Sequence, residues 1–107
     1  AMIISTTSTL EGRPVRDYLG LVGGEVIVGA NVIKDVFASV SDFFGGRSGA
    51  YESSIQEARA QAMQEMEASA RRLGADAILA VDFDYEVIGK NGSMLMVCAC
   101  GTAVKLG

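Results

Sequence analysis

Met94-Leu95-Met96-Val97-Cys98-Ala99-Cys100-Gly101-Thr102-Ala103-Val104 is the stretch whose reading decides the fold. Neither alternate set of its residues forms a polar face. An antiparallel strand with one solvated side alternates apolar and polar residues, so this strand requires cover on both sides. The preceding segment from Asp76 reads as its hairpin partner. The two are joined through Lys90-Asn91-Gly92-Ser93, where Asn-Gly signals a type I′ turn. With Asn91-Gly92 as the turn, Val87 faces Met96, Tyr85 faces Cys98, Phe83 faces Cys100 and Leu79 faces Val104. Alternate residues share a face, so this apolar side is expected to take the subunit's own helices. The other side pairs Glu86 with Val97, Asp84 with Ala99, Asp82 with Gly101 and Ala80 with Ala103. An acidic row then lies beside small apolar residues, and that side is expected to meet another subunit.

Strand length points the same way. A strand of about fourteen residues at ~3.3 Å each spans about 46 Å. A compact monomer of this size has a radius of gyration of ~13 Å and a diameter near 35 Å. The hairpin should therefore overhang its own domain, with Val97, Ala99, Gly101 and Ala103 as the expected interface of a symmetric, cyclic homo-oligomer.

Working outward, Met2 to Thr6 reads as a short strand and Glu11-Gly12-Arg13-Pro14 as a turn. Val15 to Ala30 reads as strand, a bulge or bend at Gly23-Gly24, then strand. Asn31 is placed to cap a helix over about 32–44, with Ile33, Val36, Phe37, Val40 and Phe44 at helical spacing and Gly45-Gly46 ending it. Tyr51, Ile55, Ala58, Ala62, Met66, Ala70 and Leu73 predict a longer helix over 50–73, followed by Gly74. Its alanine-rich stripe should pack close against a flat partner such as a sheet. The expected fold is α+β, in the order β-β-α-α-β-β, with helices on one face of a largely antiparallel sheet.

The 107 residues suit one domain spanning 1–107. Ala1 before Met2 reads as a cloning remnant. Half the residues are hydrophobic and 21% are charged, which excludes disordered and fibrous classes. A formal net charge of −4 argues against nucleic-acid binding, which depends on neutralising phosphates. No apolar run reaches the ~18 residues of a membrane span, and no signal peptide is visible. The two cysteines build no disulfide framework, so a reduced, cytoplasmic protein is expected.

Gly45-Gly46-Arg47-Ser48-Gly49-Ala50-Tyr51-Glu52 stands before the long helix. Gly74-Ala75-Asp76-Ala77-Ile78, Phe83-Asp84-Tyr85 and Gly101-Thr102-Ala103-Val104 follow it. This order of motifs, together with the early Glu11-Gly12, resembles the YbjQ-like family over nearly the whole chain. The family comprises small bacterial proteins of unestablished function that carry a heavy-metal-binding label. The resemblance implies an α+β subunit assembled into a pentameric ring.

Three groups are candidate sites. Cys98 and Cys100 are soft ligands for copper, zinc or cadmium. They lie about 7 Å apart on a strand, however, and no histidine is present to complete a set, so core packing is the competing role. Asp82, Asp84 and Glu86 suit hard cations, or form a solvated face paired with Arg13, Arg16 or Lys105. Gly46, Arg47 and Ser48, with Tyr51 and Glu52, form a glycine-rich entry to a helix N-terminus. That entry suits an anion or a purely structural cap. Met63, Met66, Met94 and Met96 read as core.

No histidine base, nucleophile–base pair or cofactor fingerprint points to an enzyme. A hydrolase or transferase using Arg47, Tyr51 and Glu52 ranks last. The leading expectation is a ring-forming homo-oligomer that binds a metal ion or an anion at subunit boundaries. A structural or protein-interaction ring without ligand is the alternative.

Overall fold

A computed structural model describes residues 2–29, 49–90 and 94–107, with side chains of the helix described from Ile55 onward. It contains β1 (Ile3–Ile4), β2 (Val15–Val28), α1 (Gly49–Arg72), β3 (Ala77–Ile88) and β4 (Met94–Leu106). The sheet order is β1-β3-β4-β2. β4 pairs antiparallel with β3 and β2, and the two-residue β1 pairs parallel with β3. The class is α+β, with α1 packed on one face of a mixed four-stranded sheet. The helix expected over 32–44 lies outside the described residues.

α1 follows its sequence pattern. Ala58, Ala62, Met66 and Ala70 are buried, while Leu73 is exposed beyond the packed stripe. The helix ends at Gly74, whose φ of +79° falls in the left-handed region. Gly74 N–H donates to the Arg71 carbonyl at 2.9 Å and Ala75 N–H to the Ala70 carbonyl at 3.1 Å. This is the Schellman pairing, which satisfies orphan carbonyls of the last turn. The alanine stripe lets the helix lie close over β2 and β4. Its core also takes Val22, Ile78, Val81, Ala99 and Ala103.

β2 runs unbroken through Gly23 and Gly24, which pair with Cys100 and Ala99. The bulge or bend expected there is absent. The irregularities fall earlier, between Val15 and Asp17 and between Tyr18 and Gly20. Gly24 serves close approach instead: a Cβ there would run into the Ala62 carbonyl of α1 and stand 2.9 Å from Glu65 Cβ.

The β3–β4 register is one residue off the two-residue-turn expectation. The last pair is Ile88 with Met94, followed inward by Tyr85 with Val97, Asp84 with Cys98, Phe83 with Ala99 and Asp82 with Cys100. Residues 89–93 lie between the strands, an odd number. A two-residue turn would leave an even one, and a slip of one residue exchanges faces. A second shift lies between Leu79 and Asp82, where Ala80 and Val81 stand against Gly101 alone. Ala80 there has φ +54°, the left-handed first residue that a bulge of this kind uses.

Candidate functional site

The register decides what each side of the sheet carries. Val97, Ala99, Gly101 and Ala103 were expected at a subunit interface, yet all four are buried and point to the helix side. Phe83 packs against this same core. Cys98 and Cys100 were expected beneath the helices and instead occupy the opposite face. At one end of that face Ala77, Leu79, Val104 and Leu106 are covered by Ile3, Leu10 and Val15. The remainder is open among the described residues.

Across this open part the strands align three rungs. Asp84, Cys98 and Glu25 stand side by side, as do Asp82, Cys100 and Gly23, and Glu86, Met96 and Ile27. Directly opposed side chains on one face have Cβ atoms about 5 Å apart. Cys98 is thus flanked by a carboxylate on each side, and its Sγ donates to Glu25 Oε2 at 3.9 Å. Cys98 and Cys100 are free and partly buried. The Cys98 thiol is pushed above its ordinary pKa, first by desolvation and then by the charges of Glu25, Asp84 and Glu86 and by Cys100. A shallow hollow of about 440 Å³ is lined from both sides of the sheet, by Glu25, Cys98 and Cys100 on the open side and by Gly24, Ala99 and Glu65 on the helix side.

The cysteines and the acidic row, read from the sequence on opposite faces, therefore share one. The expected pairing of that row with Arg13, Arg16 or Lys105 is not found among the described residues; Arg16 contacts Asp17 at 3.1 Å instead. Gly46, Arg47 and Ser48 lie outside the described residues. Tyr51 and Glu52 fall in the first turn of α1, with side chains outside the description.

Glu25 and Glu65 were not singled out from the sequence. Glu25 is the lone charge in the apolar run Leu21–Val28, which was the available signal. Glu65 reaches from α1 to accept the Glu25 N–H at 2.9 Å, satisfying one amide of edge strand β2.

The donor set fits a borderline or soft divalent cation better than a hard one. Zinc bonds of ~2.3 Å to sulfur and ~2.1 Å to oxygen place tetrahedral S and O ligands about 3.6 Å apart, close to the Cys98–Glu25 separation. Among the described residues, no three thiol or carboxylate groups of the chain converge. None of the described helices is long and apolar enough to cross a membrane.

Fold and face together define a small α+β sheet protein whose open side offers thiol and carboxylate ligands. The chain belongs to the YbjQ family: the family model, described as "Putative heavy-metal-binding", matches residues 2–107. A solved structure from Pediococcus pentosaceus, a protein of unknown function in the DUF74 family, is similar in fold. It has a TM-score of 0.62 and 18% identity, and the match covers 99% of this chain and 98% of that one.

Proposed function

We propose that the protein is a cytoplasmic, ring-forming homo-oligomer that binds a borderline or soft divalent metal ion on its open sheet face, where neighbouring copies meet. The observation that carries the metal reading is the Glu25–Cys98–Asp84 rung, with sulfur and carboxylate oxygen 3.9 Å apart. One protomer supplies two close ligands, so a third comes from a neighbouring copy or from rotation of Asp84. The protein's part is to place these groups on rigid strands and to shield them partly from water.

Two unlike edges that no described strand pairs support the ring. β2 is outermost on one side of the sheet, and beyond Val81 no described strand pairs with the outer edge of β3. Tyr18, Leu21 and Ile27 expose apolar surface on the open face of β2, whereas Tyr85 and Val87 expose it on the helix side of β3. A contact between two different patches is heterologous and closes into a ring when the rotation permits.

Native mass spectrometry of the metal-free protein, followed by titration with Cd²⁺ and Zn²⁺, tests both parts. The expected result is a cyclic oligomer that takes up metal stoichiometrically, develops a thiolate–Cd²⁺ absorption band, and loses both properties in Cys98→Ser and most of the affinity in Glu25→Gln. Undiminished uptake by Cys98→Ser overturns the site. An assembled ring that takes no metal favours the structural alternative.

A further inference from the structure

A second cleft, unrelated to the thiol face, lies where α1 ends beside the turn at Gly12 to Pro14. It holds about 580 Å³ and is lined by Met2, Ile3, Arg13, Arg71, Ala75 and Asp76, within the size range of small-molecule sites. Its lining combines charges of both signs with the apolar residues Met2, Ile3 and Ala75. Arg71 is engaged by Glu67 at 2.7 Å, while Arg13 has no ion pair among the described residues and is the available cation. Asp76 is anchored at three points. Its N–H donates to the Val104 carbonyl at 2.9 Å, its carbonyl accepts the Ile3 N–H at 3.3 Å, and its Oδ2 accepts the Leu106 N–H at 3.0 Å. Among the described residues the second carboxylate oxygen has no partner and can receive a donor, and the anchoring removes the ordering cost of holding it there. The carboxyl end of α1 adds partial negative charge on the same side.

These charges select among ligands. A phosphate dianion would meet Asp76 and the negative end of the helix, and a simple cation would meet Arg13 and Arg71. A molecule carrying one charge of each sign meets neither obstacle. We propose that this cleft binds a small zwitterion, an α-amino acid with an apolar side chain. Its carboxylate bonds to Arg13, its ammonium to Asp76, and its side chain lies on Met2 and Ala75. A guanidinium matches a carboxylate in a planar, two-pronged geometry.

Isothermal titration with L-leucine, L-methionine and L-phenylalanine tests this on the full chain. Leucinamide serves as the probe without a carboxylate and 4-methylpentanoate as the probe without an ammonium. Saturable binding of at least one amino acid is expected, with each single-charge probe weaker by roughly tenfold or more, the worth of a charged hydrogen bond. In Arg13→Gln the acid should lose its advantage over the amide while the ammonium preference persists. In Asp76→Asn, which retains an acceptor for Leu106, the ammonium preference should vanish and the carboxylate preference persist. Circular dichroism melts of both variants establish that they fold. Absence of saturable binding for all three amino acids overturns the proposal. So does equal binding of leucine and leucinamide, or a discrimination pattern unchanged by either substitution.

Discussion

A thiol set between carboxylates holds its proton more tightly than a thiol in water, because its ionised form would be partly desolvated and would face Glu25, Asp84 and Glu86. The shift at Cys98 is upward from the ordinary 9.0, which fixes the sign of its effects. The folded chain keeps the proton to higher pH than the unfolded chain, so this contribution is intact below the ordinary value and is lost as pH rises through the folded one. The thiolate is the reactive form. Alkylation of Cys98 by iodoacetamide at pH 8 is therefore expected to be slower in the native protein than in urea, and Glu25→Gln should speed the native reaction. Peptide mapping by mass spectrometry reads both rates, and equal native and urea rates would refute the argument. Metal binding must displace the same proton, so affinity at this rung should rise with pH across the neutral range.

At the scale of elements, the contact between α1 and β2 depends on a missing side chain. Gly24→Ala would drive a methyl into the Ala62 carbonyl, and backbone on both sides leaves no flexible group to yield. The expected cost is about 1–3 kcal/mol, typical of overpacking. At ~4–8 °C per kcal/mol for a domain of this size, the melting temperature should fall by roughly 5–20 °C. A thermal melt by circular dichroism checks it, and an unchanged midpoint would mean that the helix does not lie on Gly24. This contact also shows what the sequence disclosed. The helix was legible because its apolar spacing and Gly74 are local signals, and its alanines announced a close, flat partner. The role of Gly24 was not legible, since a glycine required for close approach reads the same as one required for a bend until its neighbour is known. The sheet faces failed for a related reason. Asn91-Gly92 is a strong turn signal, but strand pairing beginning at Ile88 and Met94 leaves an odd connection. The bulge rests on Ala80, a residue type that gives no hint of a left-handed conformation. One residue of register was enough to put Cys98 and Asp84 on opposite faces, and the β2–β4 pairing that sets Glu25 beside Cys98 has no local signal at all.

At the scale of the molecule, the chain is elongated. Its radius of gyration is 16.9 Å and its longest extent 53 Å, against ~13 Å expected for a compact chain of this length. The long extent agrees with the overhang expected from strand length, and the surface left uncovered among the described residues is the open face and the outer strand edges rather than the small-residue row. Leu21 is 80% exposed on that face of β2. As an exposed position it contributes little to the protomer's own fold, and Leu21→Lys should alter protomer stability by no more than about 0.5 kcal/mol. At a ring contact, the same change buries an unpaired ammonium in every interface and repeats the penalty around the ring. Light scattering at micromolar concentration is expected to give a closed oligomer for the unaltered protein and a smaller species for Leu21→Lys; equal masses would remove this edge from the assembly. Leu21 also shares its face with Glu25, two rungs along β2 from the Glu25–Cys98 pair, so the variant distinguishes two sources for the third metal ligand. If a neighbouring copy supplies it, the dissociated Leu21→Lys protein should lose Cd²⁺ affinity although Cys98, Glu25 and Asp84 are all present. If Asp84 supplies it by rotation, affinity should survive dissociation, and Asp84→Asn should then abolish it in ring and protomer alike.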